Sequence, residues 1–242
     1  MKKSFIAVVA ALLVIAGFTG CGVSNKSIIR MQKLEENVGS PTTVEELKEA
    51  IEKYQKRVAD VQIAQGQIGI WYKMLGTRYV DKKMYGEALK CFQEALKIYP
   101  DNQNLYYWVG VCAGYMAKAS LDYNASGTNE VRYNYLKLAE DAYLTAIQID
   151  DRYVRALYGV SVLYVWYLDE PEKAIPLLEK ALTIEKRNIE AMFVLARAYY
   201  MTYDFDKAVA MYDKIISTTK SEKTKANAEE NKKIVLDESY QN

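Results

Sequence analysis

The chain has 242 residues, half of them apolar, which is enough for one large domain or a short array with a sizeable buried core. Its 32 basic and 31 acidic residues leave a formal charge of +1, which gives no electrostatic ground for nucleic-acid binding. Histidine is absent, which excludes histidine-based triads, histidine zinc sites and an imidazole switch near neutral pH, while 21 tyrosines against 12 glycines and 4 prolines suit helices packed through aromatic rings.

Residues 1–20 read as a secretory leader, with Lys2 and Lys3 ahead of an unbroken apolar run over 5–18. That run is shorter than the roughly 20 residues a membrane-spanning helix needs. Phe18-Thr19-Gly20-Cys21 resembles the lipobox of bacterial lipoproteins, with small Gly20 at the cleavage subsite and Phe18 where leucine is more common. The resemblance implies cleavage before Cys21, acylation of Cys21, and a chain anchored to a membrane of the bacterial envelope, on the periplasmic side of the outer membrane. The readings beside it are an ordinary secreted protein cut near Gly20 and an uncleaved anchor. Residues 21–42 are mostly polar and read as a tether. Fully flexible, a stretch of that length reaches about 25 Å, and Ile28, Ile29, Met31 and Leu34 would stiffen it as a short helix.

Thr43-x-x-Glu46 is a capping box that opens a helix over 43–66. Val44, Leu47, Ile51, Tyr54, Val58 and Val61 follow a 3-4-3-4-3 spacing and share one face. A coiled-coil dimer would use this face, but the run is short. The expectation is an N-terminal cap packed on the first helix pair after it, with Gly66 and Gly69 allowing a turn.

Residues 72–100 then place large residues at Tyr72, Leu75 and Tyr79 with Gly76 between, followed by Ala88, Phe92, Ala95 and Pro100. The spacing is similar to the tetratricopeptide (TPR) pattern, with tyrosine in the usual tryptophan position. The register recurs at Tyr106, Val109, Gly110, Ala139, Tyr143 and Ala146. It recurs again at Leu157, Val160, Ser161, Tyr164, Ala174, Leu178 and Ala181, and at Met192, Leu195, Ala196, Tyr199, Ala208, Tyr212 and Ile215. The resemblance implies an all-α solenoid of about four helix-pair repeats over 69–220, divided as 69–102, 103–153, 154–188 and 189–220. A polar helix over 221–242, carrying Ala228, Ile234 and Val235, closes the last apolar face. Small residues would let paired helices approach, and larger ones would fill the space between pairs. Proline ends only the first unit, and Asp151, Lys186 and Lys220 stand at that position in the others.

Unit two carries a helical insertion over about 114–135. Asn124-Ala125-Ser126-Gly127 marks a turn, and each flanking helix is expected to overshoot by about two turns. Tyr115, Tyr123, Tyr133 and Tyr135 decorate it. It reads either as a self-packed hairpin or as a lobe that contacts a partner or walls a ligand cavity.

Proteins of this family bind along the concave face lined by their first helices. Carried over to this chain, that face comprises Tyr107, Val111, Tyr115, Arg155, Tyr158, Val162, Trp166, Phe193, Arg197 and Tyr200. It is aromatic and lacks the Lys/Asn/Arg clamp by which some family members grip acidic C-termini. Such a face suits an apolar peptide, a partner helix or a lipid-like ligand, unless terminal segments of the chain fill it. Cys91 and Cys112 lie in neighbouring helices, and buried free thiols are favoured over a disulfide. Asp150-Asp151 and Asp169-Glu170 sit at helix boundaries, where capping explains them better than catalysis. The sequence reads as a non-enzymatic scaffold lipoprotein that binds a protein or peptide partner, with no metal or other cofactor. The second reading is an apolar-ligand-binding component, similar to TPR lipoproteins associated with tripartite periplasmic transporters.

Overall fold

The computed structural model describes residues 42–120 and 129–239. The leader, Cys21 and the tether up to residue 41 lie outside the described residues. So do Tyr123, the Asn124–Gly127 turn signal and the last three residues of the chain. The chain divides into two compact units, Met1–Gln62 and Ile63–Asn242. Nine α-helices and no strands occur among the described residues.

In the first unit, helix α1 (Val44–Asp81) begins at the expected capping box. The Glu46 amide donates to Thr43 Oγ1 at 3.3 Å, and the Thr43 and Thr42 amides donate to Glu46 Oε2 at 3.0 and 2.8 Å. Those two amides, Thr42 first, hold the Glu46 carboxyl below its ordinary pKa. The six-residue stripe from Val44 to Val61 is exposed along its length.

The second unit contains the remainder of α1 and α2 (Tyr85–Leu96), then α3 (Gln103–Ala119) and α4 (Glu130–Ile149). These are followed by α5 (Val154–Trp166) and α6 (Pro171–Ile184), α7 (Ile189–Met201) and α8 (Phe205–Thr218), and a closing α9 (Glu222–Ser239). The turn expected at Gly66 and Gly69 is absent, because α1 is unbroken there. These glycines serve close approach instead. A Cβ at Gly69 would lie 2.6 Å from Tyr99 Cε2, and the Tyr99 hydroxyl donates to the Gly66 carbonyl at 2.8 Å.

The repeat register explains the core. Ala88, Ala139, Ala174 and Ala208 of the second helices, and Ser161 and Ala196 of the first, are fully buried. Gly76 meets the Phe92 ring, where an added Cβ would lie 2.8 Å from Phe92 Cε1. Phe92, Tyr143, Leu178 and Tyr212 occupy one register position and are all buried, each side chain contributing about 1.5–3 kcal/mol relative to exposure. Val109, Val160 and Leu195 are buried on the first helices, whereas Leu75, their counterpart in unit one, is 44% exposed. Among the described residues no helix pair precedes unit one.

Consecutive units are latched by phenol-to-carboxylate hydrogen bonds. Tyr164 of α5 donates to Glu140 of α4 at 2.8 Å, and Tyr199 of α7 donates to Glu179 of α6 at 2.6 Å. The same register position in unit two is Ala113, which makes no such bond. The turns between the paired helices of units one, three and four contain Lys83, Asp169 and Tyr203, each with φ near +60° (60°, 55° and 61°).

Unit two departs as anticipated in kind and less in length. Helix α3 has 17 residues and α4 has 20, against 13 in α5 and α7 and 14 in α6 and α8. The excess is about 6 Å and 9 Å at 1.5 Å per residue, short of two turns each. Asn129 ties the two together: its side chain accepts from the Arg132 amide at 2.8 Å and donates to the Ser120 carbonyl at 2.9 Å. Helix α9 buries Ala228 and Val235, while Ile234, expected beside them, is exposed. Lys232 of α9 pairs with Asp213 of α8 at 2.6 Å. No helix among the described residues is long and apolar enough to cross a membrane.

Candidate functional site

Six of the ten groove residues converge on one cavity. Tyr107, Val111 and Tyr115 of α3 and Arg155, Tyr158 and Val162 of α5 line a space of about 330 Å³. Successive members stand three or four residues apart on each helix, which keeps each set on one face. Helices α3 and α5, the first helices of units two and three, pack directly against each other and present these faces together. Tyr85 of α2 stacks on Tyr115 at 4.1 Å and 4°, extending the aromatic wall towards unit one.

The groove pattern missed Lys118, Tyr143, Gly159, Leu163 and Tyr167, which with Gly114 complete the lining. Tyr143 is the most consequential of these. It comes from α4, a second helix, and lies against two glycines of the first helices. A Cβ at Gly110 or at Gly159 would lie 2.7 Å from Tyr143 Cε1, so only glycine leaves room for the ring. A glycine inside each of two apolar helices is the sequence signal that could have located it, since glycine there costs about 1 kcal/mol against alanine. Burial drives the Tyr143 phenol well above its ordinary pKa and keeps it a proton donor.

The electrostatics are one-sided. Lys118 and Arg155 are the charged residues of the lining, and neither is paired with a carboxylate among the described residues. The Arg155 guanidinium sits 6.0 Å from the centre of the Tyr107 ring, and that of Arg132 sits 5.8 Å from the Tyr167 ring beside it. Burial raises the Tyr107 and Tyr158 phenols as well. For Tyr107 the Arg155 charge opposes the rise, and for Tyr158 the Glu190 carboxylate adds to it.

The other four expected groove residues lie elsewhere. Trp166, at the end of α5, is 52% exposed. Phe193 packs edge-on to Tyr212 at 6.2 Å. Arg197 stacks over Tyr200 at 4.8 Å, and the Tyr200 hydroxyl donates to Glu238 of the closing helix at 2.6 Å. The unit-four end of the expected groove is thus engaged with α9, because the helix that shields the last repeat also reaches Tyr200.

Cys91 and Cys112 are both buried free thiols, and burial pushes the Cys112 pKa up to about 12, so neither is poised as a nucleophile. Asp150 accepts from the Arg152 amide at 3.0 Å, and Asp151 pairs with Lys180 at 2.8 Å. Asp169 occupies a turn, and Glu170 stands at the N-cap of α6 without capping it, pairing with Lys173 at 2.8 Å instead. No three His, Cys, Asp or Glu side chains gather as a metal site would require among the described residues.

Two tetratricopeptide-repeat family models match the chain, one at residues 70–102 and one at 168–223. A TPR repeat-containing protein of Borreliella burgdorferi is 26% identical over 213 residues, covering 86% of this chain and 90% of that one. Among solved structures, YrrB, a TPR protein with an unusual peptide-binding site, superposes with a TM-score of 0.53 at 21% identity, over 77% of this chain and 85% of its own. MamA superposes with a TM-score of 0.51 at 20% identity, over 79% and 97%. The matched segments fall on units one and three-to-four of an array whose small and large core positions recur in one register, and the chain carries tetratricopeptide repeats there.

Proposed function

We propose that this protein is a non-enzymatic scaffold that docks a partner protein or peptide on the first-helix face of units two and three. We further propose that it does so at a bacterial envelope membrane to which acylated Cys21 anchors it. Proteins built on this repeat fold are protein-interaction scaffolds. The observation that carries the reading is the convergence of Tyr107, Val111, Tyr115, Arg155, Tyr158 and Val162 on one cavity. Aromatic residues and arginine are the residue types that dominate interface energetics. The peptide-binding site of the similarly folded YrrB supports the same reading. For the anchor, the support is the lipobox at Phe18-Thr19-Gly20-Cys21.

The test is photo-crosslinking in the native envelope from a reactive side chain in place of Val162. A discrete polypeptide adduct is expected, lost when Val111→Trp fills the cavity. Absence of any polypeptide adduct sinks the docking reading. A second reading, a carrier of a small apolar ligand, draws on the size of the cavity, which is that of a small-molecule pocket. A stoichiometric low-mass adduct in native mass spectrometry, with no polypeptide captured, would select it.

A further inference from the structure

The cavity between α3, α4 and α5 is rich in donors and poor in acceptors. Five tyrosines, Tyr107, Tyr115, Tyr143, Tyr158 and Tyr167, line it, and Lys118 and Arg155 add two cations. No aspartate or glutamate lines it. Tyr143 is only 6% exposed, and its hydroxyl has no hydrogen-bond partner among the described residues. No side-chain nitrogen or oxygen in the described structure is both wholly buried and unpaired, so this hydroxyl keeps some accessible surface, and its residue lines the cavity. A donor with this little exposure and no protein acceptor favours an occupant that can accept from it. Val111, Val162 and Leu163 supply the apolar part of the lining.

We infer that the cavity between α3, α4 and α5 binds an apolar body carrying one carboxylate, whose oxygens accept from Arg155 and the tyrosine hydroxyls while Val111, Val162 and Leu163 cover the body. A carboxylate has about four lone-pair sites and can take several such donors at once. The guanidinium offers it a fork of two N–H groups, and Lys118 adds a second positive charge at the exposed rim. A phosphate dianion fits less well, because the apolar wall offers nothing to replace the hydration of the second charge. The inference rests on the docking reading only in sharing its site. The carboxylate is either that of a free organic acid or that of the last residue of a peptide.

The experiment is calorimetric titration of the full chain with two matched pairs. One pair is phenylbutyrate and its amide, and the other is acetyl-Ala-Ala-Phe with a free or an amidated C-terminus. Binding of either acid with at least about tenfold preference over its amide is expected, with that preference collapsing in Arg155→Gln and weakening several-fold in Tyr143→Phe. Preference confined to phenylbutyrate assigns the carboxylate to a free acid, and preference confined to the peptide assigns it to a C-terminus. Amides that bind as well as acids overturn the inference, as does failure of all four probes to bind. Inorganic phosphate competing as well as phenylbutyrate overturns it too. Circular dichroism of both variants must match the parent chain, and Tyr158→Phe serves as a second variant should Tyr143→Phe lose helicity. The Val162 cross-link, scored on the same preparation, tells failure of this inference from failure of the docking reading.

Discussion

Replacing Gly159 by alanine should destabilise this protein, although the same change inside a helix ordinarily stabilises. The ordinary gain is about 0.8–1 kcal/mol, from the backbone entropy that glycine loses on folding. Here the new Cβ would lie 2.7 Å from Cε1 and Cζ of Tyr143 and 3.1 Å from its hydroxyl oxygen. The ring has little room to retreat, because it is nearly buried and lies equally close to Gly110. Overpacking of this kind costs about 1–3 kcal/mol, and the double contact argues for the upper half of that range. The net loss is then about 1–2 kcal/mol, a fall of about 2–8 °C in the melting midpoint for a chain of this size. Gly114→Ala is the internal control, since its Cβ would find Leu163 Cδ2 at 4.0 Å and nothing nearer, so it should raise the midpoint. Thermal denaturation followed by far-UV circular dichroism reads both. A double-mutant cycle with Tyr143→Ala adds the decisive sign: without the ring, Gly159→Ala should become favourable. If Gly159→Ala raises the midpoint in the parent chain as Gly114→Ala does, the Tyr143 ring is not seated against α5 and the cavity wall is wrongly built.

Lys83→Gly and Asp169→Gly should each stabilise by up to about 1 kcal/mol, because both residues hold a left-handed backbone that disfavours side chains; unchanged urea midpoints would refute this. Tyr200→Phe should weaken the closing helix and spare docking, since its hydroxyl is bound to Glu238. Faster amide exchange confined to α9 is the expected readout, and lost partner capture would return Tyr200 to the binding face. The contribution of two buried phenols to stability should be level below pH 10 and be lost above it. Burial first, and the adjacent carboxylates second, hold the Tyr164 and Tyr199 phenols above their unfolded value of 10.0, so as pH rises the unfolded chain gives up protons that the folded chain retains. A level profile beyond pH 10 would contradict these placements. Cys21→Ser should release the protein from the membrane fraction, and retention there would remove the basis for the anchor.

The fold was legible because the repeat writes small and large residues at fixed intervals. Ala88, Ala139, Ala174 and Ala208, with Phe92, Tyr143, Leu178 and Tyr212 four residues on, fix the facing sides of every helix pair before any contact is known. Glycine was misread at Gly66 and Gly69, where a turn residue and a residue that only removes a Cβ look identical in sequence. The distinction lies in Tyr99, about thirty residues away, whose ring needs the room. The cavity lining was legible where it depends on one helix's periodicity and opaque where it depends on two helices meeting. Hence α3 and α5 contribute the anticipated residues, whereas Tyr143 enters from α4. Tyr200 lies outside that lining for a related reason, because a polar closing helix advertises its apolar contacts but not that Glu238 will reach a phenol.

The phenol-to-carboxylate latches make the joints of this array unequal. Units one and two meet through stacked rings, Phe92 on Trp108 and Tyr85 on Tyr115, with Ala113 where a latch would stand. Units two and three are joined by the directional Tyr164–Glu140 bond as well. The α3–α5 cavity straddles that second joint, so its two long walls are fixed in relative position before anything enters. An occupant therefore meets a preformed frame and loses less of its binding free energy to ordering the protein than it would at the unlatched joint.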